Sequence, residues 1–225
     1  MSRAQAAGDG RGTYARPSPE ERRRMIAEAA YYKALNRGFQ GGDPVEDWLA
    51  AEREIDAMFP NPEQQREEAD LYEKLRAALK DLLAEAQAVN ADTLRQAFER
   101  ATADLKRTGR YTAETIAKVA ASLRKDIAST AVKLGPRWED LSRRGGDLFE
   151  VWRDRGAIFL SQAATAVGEW LRQTGTRFGQ QTYRAGEMVY KGAFECTACG
   201  ERLTLPESAH LPPCPRCQAL EYRRH

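Results

Sequence analysis

The feature that most constrains this chain is the placement of its four cysteines within the last 30 residues. They form two C-x-x-C pairs, Cys196 with Cys199 and Cys214 with Cys217, separated by fourteen residues. Each pair turns the backbone sharply enough to direct two sulfur atoms at one point, and a hairpin between the pairs brings the two turns together. The spacing therefore predicts a tetrahedral four-sulfur shell of the kind that binds Zn²⁺.

Two other interpretations of the cysteines stay open at this stage. Two disulfides would use the same residues, but cytosolic thiols stay reduced and the N-terminus shows no secretory signal. Iron also accepts four thiolates. If the metal is zinc, its role is structural, because four thiolates leave no position open for a catalytic water. We therefore expect one structural Zn²⁺ bound by Cys196, Cys199, Cys214 and Cys217.

The rest of the chain has the composition of long helices that meet along narrow apolar seams. Alanine accounts for 36 of the 225 residues, whereas leucine, isoleucine, valine and phenylalanine together account for 38. Ala, Leu, Arg, Glu, Lys and Gln dominate, and these residues lose little entropy in a helix. The formal net charge is only +2, which argues against a largely disordered chain. We expect a mostly α-helical protein with long antiparallel helices, coiled-coil-like seams and a small C-terminal β zinc ribbon.

Capping signals and changes of periodicity divide the chain into five segments. These are a disordered tail (1–17), a helical hairpin (18–60), an antiparallel helical region (61–173), a linker (174–182) and the zinc ribbon (183–225). Ser18 and Asp43 are the predicted caps of the two hairpin helices, since each precedes a proline and an acidic residue. Alternating apolar residues beyond the linker predict strands. We expect the helical seams and the ribbon core to be separate.

Aromatic residues in the helical region suggest a partner. One apolar seam is expected to run unbroken from Leu71 to Leu105 and to end at Gly109, which favours a left-handed helix cap. A last long helix, 147–172, contains the aromatic residues Trp152, Phe159 and Trp170. Alanine-rich neighbours cannot readily cover so much aromatic surface, so we expect a protein partner or self-association through this region.

The N-terminal segment contains a set of motifs of its own. Ile26-Ala27-Glu28-Ala29-Ala30-Tyr31 is followed by Arg37-Gly38-Phe39 and then by Asp47-Trp48-Leu49-Ala50-Ala51-Glu52. Over about residues 20–59, these motifs resemble a short bacterial domain family of unknown function. The resemblance implies a helical hairpin and no activity.

A longer series of motifs begins in the helical region and ends at the cysteines. Its first part consists of Thr108-Gly109, Thr112 and the run Leu123-Arg124-Lys125-Asp126-Ile127. Its second part consists of Tyr183, Gly186-Glu187-Met188-Val189, Gly192, the first cysteine pair with Gly200, Leu205, and the second pair with Pro215. Over about residues 70–223 the chain resembles the YbeL-like zinc-ribbon family, an uncharacterised bacterial group with a helical stalk before a C-terminal ribbon. The resemblance implies that the four cysteines are the zinc ligands, and it implies no catalytic activity. Gln218 departs from the pattern, because a glycine usually follows the second pair; we interpret it as a less favourable turn rather than a lost site.

No catalytic motif is present in the sequence. There is no G-x-S-x-G, no phosphate-binding G-x-x-x-x-G-K-[ST] and no H-E-x-x-H, and the two histidines are His210 and His225. Since four thiols already suffice for the metal, we expect His210 to lie in a solvated loop. The sequence thus predicts a non-enzymatic zinc-binding protein, an adaptor or regulatory accessory factor, with no evident small-molecule substrate.

The alternative function is a nucleic-acid-associated regulator that uses the ribbon for DNA or RNA contact. Residues 183–225 contain six basic and five acidic residues, and a phosphate-binding ribbon is ordinarily clearly positive. Nucleic-acid binding is therefore expected to be weak. The sequence has no uninterrupted apolar stretch of membrane-spanning length, so no membrane contact and a cytoplasmic location are expected.

Overall fold

A computed structural model describes residues 17–86, 90–133, 165–170, 172–173 and 182–225. All but the last residue of the expected tail (1–17) and of the expected linker (174–182) lies outside these residues, as does most of the last helix (147–172), including Trp152 and Phe159. The chain divides into two compact units, Met1–Pro62 and Glu63–His225. No helix in the described part is both long enough and apolar enough to span a membrane.

The first unit contains a pair of helices, α1 (Pro19–Asn36) and α2 (Pro44–Met58). Both predicted caps are confirmed: the Ser18 hydroxyl accepts from the backbone N–H of Glu21, and the Asp43 carboxylate accepts from the backbone N–H of Val45. These bonds satisfy helix donors that have no partner inside the helix. The core between the helices is small, and its buried residues are Ile26, Ala51, Ile55 and Phe59.

The second unit begins with three helices, α3 (Pro62–Glu85), α4 (Ala91–Arg107) and α5 (Ala113–Lys133). The expected unbroken seam from Leu71 to Leu105 is wrong, because Asn90 starts a new helix. Its side chain accepts a 2.8 Å hydrogen bond from the backbone N–H of Thr93. Asparagine is favoured at this capping position and disfavoured in the interior of a helix. The predicted end at Gly109 is confirmed by its left-handed φ of +65°.

The helices of this unit share one apolar core. Its buried residues include Leu71, Leu75, Leu79, Phe98, Val119, Leu123, Val167 and Trp170. Trp170 was expected to add aromatic surface for a partner, but it is only 2% exposed and its ring centroid lies 5.5 Å from that of Phe98. The helical core therefore covers the one aromatic residue of the predicted partner surface that the structure describes.

The C-terminal part forms a small antiparallel sheet of four strands and a second one of two strands. Its strands are β1 (Thr182–Arg184), β2 (Met188–Val189), β3 (Gly192–Cys196), β4 (Arg202–Leu205), β5 (Ala209–His210) and β6 (Glu221–Arg224). Four strands pair in the order β1-β6-β3-β4, and β2 pairs with β5. Together with the helices, these sheets confirm the predicted fold class.

The ribbon has a core of its own, but that core is not isolated from the helices. Phe194, Leu205 and Tyr222 belong to the ribbon core. Met188, on β2, is 1% exposed and belongs to the helical core instead, and Tyr190 packs against that core as well. The expectation of separate cores is therefore wrong at these two positions, because Met188 and Tyr190 belong to the ribbon segment but pack against the helices.

Candidate metal centre

The first cysteine pair lies where β3 ends in a tight turn. The backbone N–H of Gly200 donates to the carbonyl of Cys196 over 3.0 Å, and the N–H of Cys196 donates to the carbonyl of Glu201 over 2.8 Å. Gly200 has a φ of +71°, a left-handed conformation that glycine adopts without steric cost. This turn brings the side chains of Cys196 and Cys199 to the same side of the chain.

The second pair repeats the same turn with the same hydrogen-bond offsets. The N–H of Gln218 donates to the carbonyl of Cys214, and the N–H of Cys214 donates to the carbonyl of Ala219, both over 2.9 Å. Gln218 occupies the position of Gly200 and has a φ of +61°. The sequence departure at Gln218 is thus accommodated by a left-handed conformation that a side chain normally disfavours.

The four sulfur atoms converge on one point. All lie within 4.8 Å of one another, with 3.7 Å between Sγ of Cys196 and Cys217 and 3.6 Å between Sγ of Cys199 and Cys214. A regular tetrahedron with metal–sulfur bonds of about 2.3 Å places neighbouring sulfurs about 3.8 Å apart. A disulfide requires about 2.05 Å, so these thiols are free and the spacing matches a four-thiolate zinc site.

The four thiols do not ionise equally without a bound cation. Burial raises the pKa of Cys214, but hydrogen bonds from the backbone N–H groups of Cys217 and Arg216 outweigh it and lower the pKa to about 7. A backbone hydrogen bond from Glu201 lowers the pKa of Cys199, but burial and the neighbouring thiols raise it to about 12. Sulfurs this close cannot all ionise without a compensating cation. A dication such as Zn²⁺ supplies that charge.

The region that contains this centre matches a known protein family. The sequence model of that family, described as zinc-ribbon containing domain (DUF1451), matches residues 81–225, nearly two thirds of the chain. The chain belongs to the zinc-ribbon containing domain family. Residues 21–57 match a second family, described as protein of unknown function (DUF2934). Both resemblances inferred from the sequence are confirmed, and the family together with the sulfur geometry indicates zinc binding.

No curated protein and no solved structure gave a significant match to this zinc-ribbon protein. The site is therefore interpreted from its own geometry and from the family description.

His210, which the sequence analysis assigned to a solvated loop, is buried and only 3% exposed. Its Nε2 lies 2.8 Å from Oε2 of Glu68 on α3, and Nζ of Lys118 on α5 donates to Oε1 of the same carboxylate over 2.7 Å. Burial raises the pKa of Glu68, but the hydrogen bonds from His210 and Lys118 outweigh it, so the pKa lies below its ordinary value. We call these three residues the Glu68 cluster.

A second buried cluster contains Asp126, to which the sequence alone assigned no role. Asp126 is 5% exposed, and its carboxylate accepts from the hydroxyl of Tyr72 and from Nη2 of Arg224, both over 2.6 Å. It also accepts from the backbone N–H of Tyr190 over 2.8 Å. We call these four residues the Asp126 cluster. Helical periodicity alone could have placed Asp126 on the buried face of α5, since it lies three residues after Leu123 and seven after Val119.

Proposed function

We propose that this protein is a non-enzymatic adaptor or regulatory accessory factor built around one structural zinc ion. The observation that supports the proposal most directly is the set of four converging thiolates, because they complete a tetrahedral shell and leave no position for a substrate or a reactive water. His210, one of the two histidines, is only 3% exposed, so its imidazole is shielded from a substrate in solution.

The proposed zinc ion has a structural task that the ribbon cannot perform without it. The ribbon core contains few large apolar side chains, and a segment of this size rarely folds on so small a core. Zinc binding contributes roughly 10–16 kcal/mol in small zinc domains, which exceeds what these residues supply. The backbone of both turns is already arranged to direct the four sulfurs at one ion.

The ribbon's charges favour a protein partner over a nucleic acid. Three of its exposed arginines lie near acidic neighbours, with 3.6 Å between Arg184 and Glu221, 3.6 Å between Arg202 and Glu195, and 3.9 Å between Arg216 and Glu201. Arg224 is turned inward to Asp126. Binding to phosphates requires cations that are not already neutralised, so this surface favours only weak contact with DNA or RNA.

The hairpin offers a better surface for a partner. Among the described residues, the exposed large apolar side chains all lie on it: Tyr31, Tyr32, Leu35, Phe39, Val45 and Leu49. The rings of Tyr31 and Phe39 are 5.6 Å apart, and two ion pairs, Lys33 with Glu54 and Arg37 with Asp47, lie on the same hairpin. An exposed aromatic surface of this kind fits a partner protein that contributes an apolar helix face.

The zinc component of the proposal is tested by metal analysis. Freshly purified, reduced protein is expected to contain one zinc per chain, and the Cys214→Ser variant is expected to lose it. Ser208→Ala, in the loop between the cysteine pairs, is the control and is expected to retain zinc. Reduced protein without zinc would contradict the proposal.

The interaction component is tested by capture of partner proteins from the native cell with the full chain as bait. Tyr32→Ser is expected to lose the specific partner, whereas Arg53→Ser, an exposed substitution on α2, is expected to retain it. Retention by Tyr32→Ser would contradict a partner site on the hairpin. Sequence-selective DNA or RNA binding that persists at about 150 mM salt would instead favour the nucleic-acid-associated function.

A further inference from the structure

The ribbon touches the helices through two buried charged clusters. In the Asp126 cluster, Arg224 from β6 reaches a carboxylate on α5 that is 5% exposed. In the Glu68 cluster, His210 from β5 reaches a carboxylate on α3 that is 6% exposed. In both, the carboxylate belongs to the helices and a hydrogen-bonding partner comes from the ribbon.

Each carboxylate accepts hydrogen bonds from both the helices and the ribbon. If the ribbon moves away, Glu68 keeps the bond from Lys118 and Asp126 keeps the bond from Tyr72. Glu68 then loses His210, and Asp126 loses Arg224 and the backbone N–H of Tyr190. Hydrogen bonds between charged groups that are shielded from water stabilise a fold, and Met188 adds apolar contacts with the same helical core. Helices α3, α4 and α5, which we call the helical unit, are thus most stable when the ribbon occupies this position.

The strands that present these partners are connected to the metal centre. Strand β6, which contains Arg224, pairs with β3, and the register places Tyr222 opposite Cys196. Strand β5, which ends at His210, lies four residues before Cys214. Because the ribbon depends on its metal to fold, the positions of both ribbon partners depend on the metal as well.

The chain that enters the ribbon adds further contacts to the same helices. The guanidinium of Arg76 on α3 lies 4.3 Å from the ring centroid of Tyr190, and Lys125 on α5 lies 2.5 Å from the carboxylate of Glu187. Met188 lies between Glu187 and Tyr190 in the sequence and packs in the helical core. The ribbon therefore covers one continuous part of α3 and α5.

We propose that zinc binding in the ribbon controls the stability of the helical unit, with Arg224 and His210 as the positioning residues that transmit the metal state to α5 and α3. Zinc loss releases the ribbon and uncovers a part of α3 and α5 that contains two carboxylates. The inference rests on the proposed zinc site, but it adds that the metal acts on the helices and not on the ribbon alone.

The test is hydrogen exchange of the full-length, reduced protein with and without zinc. Zinc removal by a chelator is expected to speed amide exchange in α3 and α5 by at least about tenfold, and to leave exchange in the hairpin helices of the other compact unit unchanged. Faster exchange confined to residues 182–225 would overturn the proposal while leaving the zinc site intact. Protein that binds no zinc at all would contradict the proposed function itself.

Two variants separate transmission from folding of the ribbon. Arg224→Met retains an apolar stem and is expected to bind zinc at one per chain, while exchange in α5 becomes fast with zinc still bound. Arg223→Met changes the adjacent, exposed residue of the same strand and is expected to behave as the unaltered protein. If Arg224→Met binds zinc and α5 stays as protected as in Arg223→Met, then Arg224 does not transmit the metal state and the proposal is wrong.

Discussion

Replacing Gln218 by glycine should tighten zinc binding. Gln218 follows the second cysteine pair at a φ of +61°, and a left-handed conformation costs a residue with a side chain roughly 1–2 kcal/mol. Gln218 is exposed, so its side chain contributes little packing that the substitution would remove. Part of this stabilisation is offset, because glycine has more conformational freedom in the unfolded chain and loses more entropy on folding. The net stabilisation of the folded ribbon is therefore about 1 kcal/mol.

Because folding of the ribbon and zinc binding are coupled, this free energy appears in the zinc affinity. Gln218→Gly should bind zinc about fivefold more tightly, since about 1.4 kcal/mol corresponds to a factor of ten. The assay is competition with a chromophoric chelator under reducing conditions.

The reciprocal substitution is the matched control. At Gly200 nothing lies within 4 Å of the position that a Cβ would occupy, so Gly200→Ala has only the conformational cost of its φ of +71°. It should weaken zinc binding by about the same factor, and the double variant should return close to the original affinity. Unchanged or weaker binding by Gln218→Gly would refute the argument that the two turns are equivalent.

Three further predictions follow from the helical unit. The pKa of Glu68 lies below its ordinary value of 4.5, so its charged form stabilises the fold at neutral pH, and this contribution is lost as the pH falls below about 4.5. In urea unfolding, the difference in free energy of unfolding between Glu68→Gln and the unaltered protein should therefore be smaller at about pH 3 than at about pH 7. Tyr72→Phe removes a buried hydrogen bond to an ionised carboxylate and should lower the free energy of unfolding by about 1.5–3 kcal/mol in the same assay. Asn90→Ala should lower it by about 1 kcal/mol, and no change would mean that α4 does not depend on this cap.

The local features of the chain could be predicted from its sequence. Ser18, Asp43 and Gly109 act within three or four residues of their own positions, so capping chemistry alone located them. The metal centre was predictable for the same reason, since each C-x-x-C turn is local and the two turns repeat one geometry.

The contacts between the ribbon and the helices could not be predicted in this way. Glu68 and His210 are 142 residues apart, and nothing in the sequence around either residue indicates the other. A lone histidine near a metal site is more often solvated, and only the folded arrangement shows that His210 serves a buried carboxylate. The break at Asn90 was missed because apolar residues on both sides continue the same helical spacing.

The measurement that tests the account most directly is X-ray absorption at the zinc edge of the purified, reduced, full-length protein. The account predicts one zinc per chain with four sulfur ligands at about 2.3 Å and no nitrogen or oxygen ligand. This shell corresponds to Cys196, Cys199, Cys214 and Cys217, whose sulfurs lie within 4.8 Å of one another. A zinc ion with a nitrogen or oxygen ligand would contradict a closed structural site and would reopen the possibility of metal-assisted chemistry.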